Sequence, residues 1–132
     1  MPTHAAGSFI IDSWDEETLD ELAGGRMFRV RIGKTFSGDL TGMSVGWMTM
    51  AMMPGDNAAY VGFERITAEL GGQAGTFVLH HNAAMSPAGP QASWLIVPGS
   101  GTGELAGISG AATIDRHEDG THTYTLDYDL PA

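Results

Sequence analysis

The chain has no cysteine, only six lysines and arginines, and almost no helical periodicity. It also lacks any apolar run approaching the roughly 20 residues that span a bilayer. Each absence removes a class of protein. Without cysteine there is no disulfide, no thiolate metal site and no thiol nucleophile. Six cations against sixteen aspartates and glutamates leave a formal charge of −10. Such a surface repels nucleic acid and anionic membranes, which bind through phosphate-neutralising cations, so neither is an expected partner. The one run of cations, Arg26, Arg29, Arg31 and Lys34, reads as a strand edge made soluble. The opening Met1-Pro2-Thr3-His4 has neither the basic nor the apolar region of a signal peptide. The cytoplasm is therefore the expected compartment.

What is present is glycine and alternation. Nineteen glycines in 132 residues are about twice the average share of roughly 7%, and they stand between short apolar runs. That length suits a single domain, residues 1–132, able to bury a core without staples. Residues 6–13, 26–36, 40–53, 58–70, 74–84, 90–98, 103–106, 110–116 and 121–130 read as strands. In the last, His122, Tyr124, Leu126, Tyr128 and Leu130 share one face, and threonines and aspartates share the other. The acidic stretch Ser13–Leu22 is the one helix-like segment, too short and too charged to stand alone, and reads as a surface turn or loop.

Turn chemistry such as Met53-Pro54-Gly55-Asp56-Asn57 and Glu118-Asp119-Gly120 punctuates the runs. The expected fold is all-β with essentially no long helix: an antiparallel, eight-stranded meander closed into a barrel, which removes both exposed edges. A sandwich is the alternative. A barrel of this size is filled by side chains or holds one small ligand. Small residues inside the strands, among them Gly46, Gly62, Ala83 and Ala112, suit either outcome.

Seven segments, in order, carry a resemblance: Gly7–Phe9, Ser13–Glu16, Thr35–Leu40, Tyr60–Arg65, Gly75–His81, Val97–Gly110 and Tyr124–Tyr128. Over nearly the whole chain they resemble a family of small bacterial proteins described only as a domain of unknown function. That family is similar to the allene oxide cyclase barrel. The resemblance implies an eight-stranded barrel, allene oxide cyclase-like or lipocalin-like in shape, whose apolar lumen folds a substrate and excludes water. It brings no activity with it, because fold alone does not confer function.

Two residues are candidates for chemistry. Glu64 shares the inward face of 60–70 with Tyr60, Gly62, Ile66, Ala68 and Leu70. Desolvation there is expected to raise its pKa and make it a proton shuttle near neutrality. Its bland alternative is a structural carboxylate satisfied by backbone donors or an arginine. His81 follows Phe77 and Leu79 on the inward face of the next strand, where it can orient Glu64 or serve as a hydrogen-bonded core residue. His80 faces out. The five histidines are scattered, so no metal and no other cofactor is expected. The Gly99–Gly103 run lacks the lysine and helix of a phosphate loop and reads as a turn.

Trp47, Met48, Met50, Tyr60, Trp94, Tyr124 and Tyr128 are the candidate substrate-binding residues. Alternation puts Trp47 opposite Met48 and Met50 and leaves open which of the two faces is the lumen. Tyr60 or Tyr124 is placed to hydrogen-bond a developing oxyanion. The functional expectation is a cofactor-independent isomerase, cyclase or lyase acting on a small apolar molecule, with Glu64 and His81 moving a proton. The alternative is a lipocalin-like binding or carrier protein without catalysis. A solidly packed barrel, forming a homo-oligomer, is a third possibility.

Overall fold

In the computed structural model, which describes residues 2–131, the turn residues cut the chain into eight strands. They are β1 (Thr3–Leu22), β2 (Gly25–Gly38), β3 (Leu40–Met53), β4 (Asn57–Leu70), β5 (Gln73–Ser86), β6 (Gly89–Ile96), β7 (Ser109–Arg116) and β8 (His122–Asp129). Each runs antiparallel to the next, and β8 returns to pair with β1, so one sheet forms a ring. The described residues contain no α-helix and one 3-10 turn, Gly103–Leu105. None of them forms a helix long and apolar enough to cross a membrane.

Two expectations need correction. Residues 103–106 are not a strand, because the chain there tightens into the 3-10 turn and packs Leu105 into the core. Ser13–Leu22 is not a loop but the second half of β1. Its acidic residues find the chain's one basic run across the ladder: Asp15 stands opposite Arg31, and Glu17 opposite Arg29. Glu16 pairs with Arg26 at 2.7 Å and Glu17 with Arg29 at 2.9 Å. Opposite charges across neighbouring strands support the pairing that helical propensity would not. Among the described residues, β1 beyond Phe9 has no partner on its other side. Asp12, Asp15, Glu17 and Asp20 lie along this free edge and discourage pairing with another chain.

The two ends of the ring differ. One end holds a core that includes Phe9, Phe36, Leu70, Phe77, Leu126 and Tyr128. The connection between β6 and β7 folds across it, held by the Thr102 amide donating to the Thr76 carbonyl at 2.8 Å, with Leu105 and Ile108 buried beneath. At the other end β7 and β8 are short, and β6 and β7 share only the Trp94–Ala112 and Leu95–Ala111 pairs. That end stays open.

Gly62 permits the close contact between β3 and β4 at mid-ring. A Cβ there would lie 2.5 Å from Met48 Sδ and against the Trp47 carbonyl oxygen. Met48 is buried with Phe28, Val30 and Ile32 and has little room to yield. Gly62→Ala is therefore expected to cost about 1–3 kcal/mol by overpacking. The loss should appear as a lower urea midpoint at unchanged slope, and an unaltered midpoint would show that the strands part freely.

Candidate functional site

The inward faces of β2 to β6 carry polar side chains that meet at mid-ring. On β4 the alternation Tyr60, Gly62, Glu64, Ile66 places one carboxylate in an apolar wall, and Glu64 is 1% exposed. Its Oε1 accepts from His81 Nε2 at 2.7 Å and from Lys34 Nζ at 3.3 Å, and its Oε2 accepts from Ser44 Oγ at 2.5 Å. His81, on β5, and Lys34, on β2, are buried as well. The ammonium of Lys34 also sits 4.5 Å from the centre of the Phe9 ring. Among the described residues no buried side-chain polar atom is left without a partner, which is what a low-dielectric interior demands.

A second line of hydrogen bonds leads outward. Tyr60 Oη lies 3.4 Å from His81 Nδ1, and Trp94 Nε1 donates to Tyr60 Oη at 3.2 Å. Burial pushes the Glu64 carboxyl up. The hydrogen bond from His81, the charge of Lys34 and the Ser44 hydroxyl together outweigh it and hold Glu64 down, at about 2. Burial lowers His81, with Glu64 opposing, so the imidazole is neutral at pH 7. The donor inventory then fixes the direction of the chain. An ionised carboxylate only accepts, so His81 carries its proton on Nε2. Its Nδ1 accepts from Tyr60, and Tyr60 accepts from Trp94. Burial raises the Tyr60 phenol above its ordinary value, partly offset by the Trp94 hydrogen bond, so it keeps its proton at rest.

This geometry corrects the expectation for Glu64. Its pKa is lowered, because Lys34, His81 and Ser44 supply what desolvation removes. It is a buried counter-ion, and its partner is a lysine where an arginine had been the expected cation. Lys34 is not part of a soluble edge. It lies on the inward face with Phe28, Val30, Ile32 and Phe36, and the period-2 pattern of β2 is the signal that could have located it.

Tyr60 and Trp94 form the floor of a cleft at the open end. It has a volume of about 560 Å³ and apolar walls that include Met50, Ala58, Ala83, Ala92 and Ile114. This is within the usual ~300–1,000 Å³ of small-molecule sites. A depression of about 350 Å³ beside Arg31, Met43 and Arg65 lies on the outer wall. On the far side of Glu64 the interior closes to a void of about 20 Å³ lined by Ile66, Phe77, Leu79 and Leu126.

The structure thus brings Met50, Tyr60 and Trp94 to the cleft and joins the last two to His81 and Glu64. The other candidates stand elsewhere. Trp47 is on the outer face, 53% exposed, with Arg31 over its ring at 6.0 Å. Met48 is packed among Phe28, Val30 and Ile32. Tyr128 belongs to the closed end. Tyr124 has its hydroxyl committed to backbone: it accepts from the Leu40 amide at 2.9 Å and lies 3.0 Å from the Ser37 carbonyl. It therefore pins the β2–β3 turn and faces no cleft.

An all-β ring with a satisfied ionic network at its centre and an aromatic-floored cleft at one end defines the class of protein. The chain belongs to the DUF3224 family, a protein family of unknown function, whose model matches residues 5–128. It is similar to a solved structure of a DUF3224-family protein of unknown function from Shewanella oneidensis MR-1. The two are 30% identical with a TM-score of 0.86, and the match covers 100% of each chain. No curated protein matches the chain.

Proposed function

We propose that the ring is a closed barrel of the allene oxide cyclase-like shape and works as a cofactor-independent isomerase, cyclase or lyase. Its substrate is a small apolar molecule bound in the open-end cleft. The observation that carries this reading is the hydrogen-bond chain Trp94–Tyr60–His81–Glu64, which runs from the cleft floor to a buried counter-ion. In an isomerisation, Tyr60 oxygen takes a proton from substrate carbon as its own proton passes to His81 Nδ1. The imidazolium so formed is stabilised by the Glu64 carboxylate, and reversal returns a proton to a different substrate atom. Protons balance and no co-reactant is consumed. Glu64 is a positioning residue in this scheme, and Tyr60 is the group that meets substrate.

The test is deuterium incorporation from heavy water into an apolar methyl ketone, followed by mass spectrometry. Exchange at the carbon beside the carbonyl is expected above the buffer rate. Tyr60→Phe and His81→Gln should each remove about 10²–10⁴ of it, the share that general acid–base catalysis supplies. Binding is read separately from Trp94 fluorescence in a Trp14→Phe, Trp47→Phe background. A ketone that binds without exchanging would end the catalytic reading and leave a lipocalin-like carrier, which the apolar walls at Met50, Ala83 and Ala92 support by themselves.

A further inference from the structure

Among the described residues the cleft has one cationic wall residue. Arg116, the last residue of β7, falls on the same face as Ala112 and Ile114 and lines the cleft with Ile114. Asp115 also borders the cleft, but alternation along β7 turns its side chain to the outer face. The hairpin tip beyond carries Glu118 and Asp119, yet among the described residues Arg116 makes no ion pair. Its partner across the ladder is His122, an imidazole that burial and then the Arg116 charge hold below its ordinary value, and so neutral at pH 7. In a chain with sixteen carboxylates and six Lys and Arg, an arginine exposed at the cleft wall without a carboxylate partner is a specific arrangement. Lys34, the buried cation of this interior, is already matched by Glu64, and Arg26, which lies over the Phe28 ring, is matched by Glu16.

We propose that the cleft takes an amphipathic carboxylate, its apolar body against Met50, Ala83 and Trp94 and its anionic head on Arg116. This rests on the reading of the cleft as a ligand site and adds the ligand's charge. The guanidinium presents paired N–H donors that match a carboxylate in two parallel hydrogen bonds. The acidic exterior repels free anions, so such a ligand needs a local cation to hold it. Arginine at an exposed strand end also leaves the buried network untouched.

The experiment compares decanoate with methyl decanoate, which share an apolar body and differ in charge, by Trp94 fluorescence at pH 7 in the Trp14→Phe, Trp47→Phe background. With Arg116 intact, decanoate is expected to bind more tightly than the ester. Arg116→Gln should weaken decanoate by about ten- to a hundredfold, the worth of hydrogen bonds to a charged group, and leave the ester unchanged. Arg116→Lys should fall between them. Equal affinity for the two ligands, or decanoate binding indifferent to Arg116→Gln, would overturn the carboxylate while leaving the cleft as a ligand site. Failure of both ligands to bind would overturn the cleft reading and this one together.

Discussion

Glu64→Gln is expected to lower the unfolding free energy by about 3–5 kcal/mol, the range found when one partner of a buried ion pair is removed. The amide keeps the volume and one acceptor oxygen, so His81 can retain its hydrogen bond. It supplies no charge, and Lys34, whose side chain is 8% exposed, is left as an unmatched buried ammonium. Lys34→Met alone should cost less, because Glu64 still accepts from His81 and Ser44. The double variant Glu64→Gln, Lys34→Met should recover more than about 1 kcal/mol of the summed single losses, as contacting residues do. Urea denaturation of all four proteins at pH 7 measures the cycle. Strict additivity would mean that the two charges do not support each other.

The same network makes the protein acid-labile in a defined window. Glu64 has a folded pKa of about 2 against an ordinary value of 4.5. Its folded pKa is depressed, so its contribution is complete above pH 4.5 and is lost as pH falls toward about 2. The size is about 3 kcal/mol for a shift of this order. His81 adds to it with the same sign. Its imidazole is lowered from 6.5 in the folded protein, so the unfolded chain takes up the proton first and stability begins to decline as pH falls through 6.5. The expected profile of urea midpoint against pH is flat at neutrality and falls in acid. In Glu64→Gln the limb below pH 4.5 should be shallower, which separates this carboxylate from the exposed ones. Parallel limbs in the two proteins would show that Glu64 is not held low.

Much of this was legible in the residues, and what escaped has physical reasons. Strict alternation in 121–130 and 60–70 located β8, β4 and the inward carboxylate, because a half-buried strand must repeat every two residues. His81 followed from the same rule. Lys34 escaped because three arginines precede it, and a charge run suggests solvent. Yet Arg29 and Arg31 occupy odd positions and Lys34 an even one, on the face of Val30 and Ile32. The direction of the Glu64 shift was not available locally, since Lys34 and Ser44 come from 30 and 20 positions away. The acidic half of β1 was misread for a similar reason. A strand made by complementary charges on its neighbour carries no hydrophobic period of its own.

The ring closes at a seam that joins distant parts of the chain: His4 meets Asp127 at 2.7 Å across 123 positions. Pairings from β1 through β6 are between consecutive strands and need only short turns. Loop-closure entropy therefore sets the order of events during folding. Local hairpins are expected to form early and the β1–β8 seam late, so that closing the seam is the expected slow step. Until it forms, the chain is an open sheet with two bare edges, the state in which β proteins meet one another and aggregate. The carboxylates along β1 act on that transient species, whose solubility decides how much of the chain ever reaches the ring.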